Sequence, residues 1–160
     1  MAIISNPREI WFEDWVSIPR ILSGRLRVIG SRDCVFLKGV YGPHISREKR
    51  AFLQNLENMR SLYLDDLWVV GGDFNIINSL VEKKGCRRRM YKGMELFGDT
   101  IAEQRLVDIP TINGVHTWNN KRGRNRQIAS RLDRFLISKQ VISKDIFIEA
   151  SILPGMGSGH

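Results

Sequence analysis

Short β-rich runs and amphipathic helical stretches that do not alternate strictly place this chain in the α+β class, with largely antiparallel sheets. Three observations carry that expectation. Leu26 to Ile29, Cys34 to Val40 and Leu67 to Val70 are brief apolar or alternating runs of strand length. Phe52, Leu53, Leu56, Met59 and Tyr63 recur at helical spacing and make one apolar stripe. No internal repeat or low-complexity tract interrupts the pattern, and 160 residues suit one domain with a real core.

Taken in order, Pro7 to Trp15 reads as an amphipathic segment. The runs Leu26 to Ile29 and Cys34 to Val40 form a hairpin around the turn Gly30-Ser31-Arg32-Asp33. Ser46 suits the N-cap of a helix reaching about Tyr63. Leu67 to Val70 is the next strand and delivers Gly71-Gly72-Asp73-Phe74-Asn75 at its end. Asn78 to Lys92 is polar and basic, as a surface loop would be. A second helix spans about Met94 to Arg105, with Met94, Phe97 and Ile101 on one face. Strands at His116 to Trp118 and Arg131 to Ile137, a brief helical turn and a last strand at Ile146 to Ile152 complete the reading.

Composition narrows the partners. A net charge of +8 and a pI near 9.9 favour a polyanion, of which nucleic acid is the commonest. Cys34 and Cys86 supply neither a disulfide framework nor a zinc cluster, which fits a reduced intracellular setting. No apolar run approaches membrane-spanning length and Met1 to Pro7 lacks a secretory pattern, so the reading is soluble and intracellular. No obligate protein partner is evident. Arg87, Arg88 and Arg89, after Lys83 and Lys84, read as a nuclear address, a phosphate-contacting loop or a solvated loop.

The chemistry concentrates at a few positions. Asp73 and Asn75 sit two apart after a strand, where extended backbone would project both side chains to one side. A carboxylate that orients a water beside an amide that donates to a phosphate oxygen suits phosphate-ester hydrolysis. The same residues also make a respectable turn. In Arg131-Leu132-Asp133-Arg134-Phe135-Leu136-Ile137, alternation puts Asp133 on the face of Phe135 and Ile137. A carboxylate there needs a partner, either a neighbouring arginine or a histidine whose tautomer it would fix.

Together with Val40-Tyr41-Gly42-Pro43-His44, Thr117-Trp118-Asn119-Asn120 and Ser158-Gly159-His160, these motifs resemble the endonuclease/exonuclease/phosphatase superfamily. Within it, the likeness is to the apurinic-type endonuclease domain of plant LINE-like non-LTR retrotransposons, from about Val35 to His160. The resemblance implies a four-layer α/β/β/α sandwich of the DNase I-like type, truncated at the N-terminus and at the extreme C-terminus. Residues 1–34 are then a divergent N-terminal segment and strand, and 35–160 a partial domain. It implies magnesium-dependent nicking of DNA, with Asp73 aligning the attacking water and Asn75 contacting phosphate or nucleophile. Asp133 would orient His160, which acts on the scissile phosphate. Tyr41 and His44 would contact phosphate, His44 standing where the family usually has Asn. Trp118 matches an aromatic beside the active site and reads here as packing.

Two departures bear on the metal. Gly159 replaces a family Asp that anchors the divalent ion, and glycine has no side-chain oxygen. The 40 residues before Tyr41 hold no convincing match to the family's metal-binding Glu, Glu9 and Glu13 being the only candidates by type. The expected function is an impaired endonuclease domain of retroelement origin. A non-catalytic basic nucleic-acid binder and a phosphatase of the same superfamily are the alternatives.

Overall fold

A computed structural model describes residues 10–28, 34–61, 67–85, 89–122, 126–143 and 148–153. The turn at Gly30 to Asp33, Tyr63, Arg87, Arg88, Ile146, Gly159 and His160 lie outside the described residues.

Strand β1 (Ile10–Ile18) opens the chain and pairs antiparallel with β2 (Ile21–Val28), which pairs antiparallel with β3 (Cys34–Tyr41). The segment Pro7 to Trp15, expected to be amphipathic, is strand from Ile10 onward among the described residues. Its alternation is broken by a bulge between Phe12 and Asp14, which hides the two-residue period in the sequence. The hairpin expected between Leu26 and Val40 is present, with β2 starting earlier, at Ile21.

Helix α1 (Ser46–Ser61) follows, burying Phe52, Leu53 and Leu56 as its stripe requires. It is the crossover to β4 (Leu67–Asp73), which lies parallel to β3. Helix α2 (Lys92–Glu103) buries Met94 and Phe97 and leads into β6 (Leu106–Ile109), a strand too short to stand out in the sequence. Strand β9 (Asp133–Ser138) inserts between β4 and β6, antiparallel to both. The large sheet thus runs β1-β2-β3-β4-β9-β6. A second, small sheet joins β5 (Lys83–Lys84), β8 (Ala129–Ser130) and β7 (Trp118–Asn119) in the order β5-β8-β7. The four-residue helix α3 (Lys139–Ile142) is the expected helical turn.

One face of the large sheet is covered by α1 and α2. Ile21, Val40, Val70, Leu106 and Leu136 pack there against the helical stripes and the rings of Phe52, Phe74 and Phe97. On the other face Leu67 and Ile137 are buried with Val141 of α3.

Two further expectations change. Asn78 to Lys92 is not simply a surface loop, since it holds a 3-10 turn (Leu80–Glu82) and β5, with Glu82 6% exposed. The last strand reduces, among the described residues, to a single bridge between Thr111 and Ala150. There the Asn113 side chain takes the place of a ladder, donating to the Ile152 carbonyl at 2.8 Å and accepting from its N–H at 2.7 Å. None of the described helices is long and apolar enough to cross a membrane.

Candidate active site

Register builds the site. Tyr41 lies opposite Asp73 across β3 and β4, and Asp73 opposite Asp133 across β4 and β9. Residues opposite one another on neighbouring strands share a face. Three chain segments remote in sequence therefore end in a row: a phenol and two carboxylates.

Behind this row the backbone turns sharply. Gly72 has φ +139°, and a Cβ there would stand 2.2 Å from the Val40 carbonyl oxygen, so only glycine fits beneath Asp73. The Gly42 N–H donates to the Asp73 carbonyl at 2.6 Å, and the Phe74 N–H to that of Leu132 at 2.9 Å, tying the strand ends together. The strand ends at Asp73, so Asn75 does not extend it. Asn75 is buried at φ +52°, its N–H donates to the Asp73 carboxylate at 2.8 Å, and its amide donates to the Gly42 carbonyl at 2.8 Å. The parallel projection expected of Asp73 and Asn75 is thus replaced by an Asx-type turn in which one orients the other. An amide has a second N–H, the one a phosphate oxygen would use.

Lys49, from α1, reaches under the same turn and donates to the Asn75 carbonyl at 2.8 Å. Burial, then the neighbouring Lys83 charge, pushes its pKa below the ordinary lysine value against the opposing pull of Asp73. Thr117 supports the facing strand, its hydroxyl oxygen accepting from the N–H groups of Leu132 and Asp133, each at 3.0 Å.

Asp133 itself is exposed, and the arginines beside it are committed elsewhere. Arg134 pairs with Glu82 at 2.9 Å and Asp108 at 2.6 Å, while Arg131 pairs with Asp108 at 2.7 Å and more loosely with Glu82 at 3.4 Å. This four-residue network, buried except for the half-buried Asp108, fastens the 3-10 turn, β6 and β9 behind the carboxylates. Burial by itself would raise the Glu82 pKa. The Arg134 hydrogen bond and charge, the Asn78 N–H and Arg131 outweigh it and hold the carboxyl below its usual value.

Asp73 and Asp133 open into a cleft of about 360 Å³ shared with Thr117, Trp118, Lys121 and Phe135. Trp118, read from sequence as packing, is half-buried in its wall. Tyr41 is exposed at the other end of the row, its hydroxyl hydrogen-bonded to Nε2 of exposed His44 at 3.2 Å. Arg89 is exposed. His160, Arg87 and Arg88 lie outside the described residues, so the geometry assembles Tyr41, His44, Asp73, Asn75 and Asp133 and leaves the histidine dyad unplaced.

Sequence reasoning missed Lys49, the Thr117 hydroxyl, Glu82 and Asp108. Only Thr117 carried a signal, standing next to Trp118 in Thr117-Trp118-Asn119-Asn120.

Among the described residues no cluster of three or more acidic, histidine or cysteine side chains could hold a metal. Asp73 and Asp133 are the carboxylates that share the cleft. Magnesium takes one or two carboxylates and keeps several waters, so the pair fits it as a minimal seat.

No protein-family model and no curated protein matches the chain. Solved structures do. The endonuclease domain of TRAS1, a telomere-specific non-LTR retrotransposon, is 17% identical with a TM-score of 0.61 over 81% of this chain and 57% of that one. D. rerio TDP2, complexed with a single strand DNA product, is 12% identical with a TM-score of 0.53 over 84% and 56%. A mannosyl-6-phosphatase of Bacteroides thetaiotaomicron is 16% identical with a TM-score of 0.51 over 82% and 54%. The chain therefore has the DNase I-like α/β fold of these proteins, and spans little more than half the length of each.

Proposed function

We propose that the chain is an endonuclease domain of the endonuclease/exonuclease/phosphatase superfamily, of retroelement origin, hydrolysing a DNA phosphodiester with magnesium at reduced efficiency. The observation that carries this reading is the row Tyr41, Asp73, Asp133 on three adjacent strands, its two carboxylates opening into one cleft of a basic protein. Asp73, held by the Asn75 N–H, aligns the attacking water as a positioned carboxylate. Tyr41 and His44 donate to the phosphate, and Asn75 offers its second amide hydrogen. Asp133 orients His160, the acid that meets the leaving oxygen. Asp73 and Asp133 would hold magnesium, which neutralises phosphate charge when bound. With Gly159 lacking the family's carboxylate, that seat is weak and activity is expected to be low. Two of the solved structures it resembles are tied to nucleic acid by name, which supports this direction.

A non-catalytic nucleic-acid binder is the second reading, favoured by the net charge of +8 and the exposed Arg89. Nicking of supercoiled plasmid by the purified chain separates the two. Magnesium-dependent nicking, lost with chelator and with Asp73→Ala, supports the enzyme. Salt-sensitive DNA binding without any nicking supports the binder.

A further inference from the structure

Two helices brace the turn that follows Asp73. From α1, the Lys49 ammonium donates to the Asn75 carbonyl at 2.8 Å. From the N-terminal cap of α2, the Tyr91 hydroxyl accepts from the Ile77 N–H at 3.4 Å, and the same ring centre lies 5.4 Å from the Lys49 ammonium. Lys49 is 8% exposed, and local physics is set against a cation there. Burial strips the ammonium of water and the Lys83 charge repels it. The first turn of α1, where Lys49 lies, presents the positive end of the helix dipole. Asp73 attracts it through its charge, yet no carboxylate stands within ion-pair distance of it among the described residues.

A methionine would fill the same space without those costs, and exchanging buried charge for apolar groups of similar volume is often neutral or stabilising. Fold stability therefore does not account for the lysine. What it holds does: Asn75 is the residue whose N–H fixes the Asp73 carboxylate at 2.8 Å and whose amide is anchored on the Gly42 carbonyl at 2.8 Å. We propose that Lys49 is a positioning residue for hydrolysis: its ammonium pins the Asn75 carbonyl, fixes the turn that aims the Asp73 carboxylate and the Asn75 amide, and sets a positive charge behind the place where anionic charge develops. It acts through Asn75 and needs no contact with substrate. The inference rests on the proposed nuclease reading for the reaction served and adds a residue to it.

Lys49→Met keeps the length of the side chain and removes its charge and donors. Nicking of supercoiled plasmid in saturating magnesium is followed over a range of plasmid concentrations, at a temperature where melts show each protein folded. The variant is expected to lose roughly tenfold to a hundredfold in kcat with KM nearly unchanged. Lys49→Arg should recover part of kcat, because a guanidinium restores the charge and a donor in another shape. Arg50→Met, one residue on and exposed, is the control for losing a cation from α1 and should leave kcat unchanged. Amide hydrogen exchange gives a readout that needs no turnover. In Lys49→Met the Asn75 N–H should exchange roughly tenfold faster while the amides of β4 keep their protection, since a charge-assisted hydrogen bond is lost from the turn alone. Wild-type kcat in Lys49→Met, or a change confined to KM, overturns the proposal. Unchanged exchange at Asn75 overturns it whatever the rate. If Asp73→Ala abolishes nicking and Lys49→Met nicks normally, this inference fails and the nuclease reading stands. If the wild type never nicks, the nuclease reading fails and exchange at Asn75 alone decides whether Lys49 holds the turn.

Discussion

Replacing Glu82 by alanine removes one corner of the buried ion network behind the active-site strands. Glu82 accepts from Arg134 at 2.9 and 3.2 Å, from Arg131 at 3.4 Å and from the Asn78 N–H at 2.6 Å. Arg134, 3% exposed, would keep Asp108 at 2.6 Å and the carbonyls of Ile76 and Arg131. Breaking one partner of a buried pair costs about 3–5 kcal/mol, and the surviving Asp108 contact puts this case near the lower end, about 3 kcal/mol. For a chain of this size each kcal/mol shifts Tm by roughly 2–4 °C, so a fall of about 6–12 °C is expected. Urea melts read the same loss as a lower midpoint at unchanged slope. Glu82→Gln keeps an acceptor for Asn78 and Arg134 and should lose about half as much. A Glu82→Ala loss below about 1 kcal/mol would falsify the claim that this network fastens the turn, β6 and β9. Acid gives a second readout. Because the folded carboxyl titrates below its ordinary value of 4.5, its stabilising share is complete above that pH and is lost as pH falls through the folded value. Wild-type stability should therefore drop more steeply below about pH 4.5 than that of Glu82→Gln.

Other substitutions test the turn around Asp73. Gly72→Ala combines a φ of +139° with a Cβ 2.2 Å from the Val40 carbonyl oxygen, and should cost at least about 2–3 kcal/mol in chemical melts. Asn75→Asp tolerates the same left-handed backbone but sets an acceptor against the Gly42 carbonyl. A loss of about 1–3 kcal/mol is expected, with plasmid nicking falling alongside it. Thr117→Val is nearly isosteric and strips the acceptor from the Leu132 and Asp133 N–H groups. It should cost about 1–3 kcal/mol by urea titration, and a wild-type melt would mean that Thr117 does not hold Asp133.

The sequence by itself determined the class of the fold and the local elements whose cause is local. Helical spacing found α1 and α2, and the short β-rich runs found β2, β3, β4 and β9, because burial of one face writes its period into neighbouring residues. It also marked Asp73 and Asp133 as carboxylates at strand positions. What it could not contain was register. Asp73 meets Asp133 only because β9 inserts beside β4, a pairing between remote segments that neither segment encodes alone. The bulge in β1 erased the alternation that would have announced a strand. Arg131 and Arg134 looked like partners for Asp133 in the sequence. In the folded chain they are drawn to Glu82 and Asp108, because a buried guanidinium must find carboxylates wherever the packing supplies them. The Asn75 turn follows the same logic. Periodicity treated it as extended, while the Gly42 carbonyl and the Asp73 carboxylate, both delivered by tertiary structure, closed it into a left-handed turn that holds the carboxylate in place.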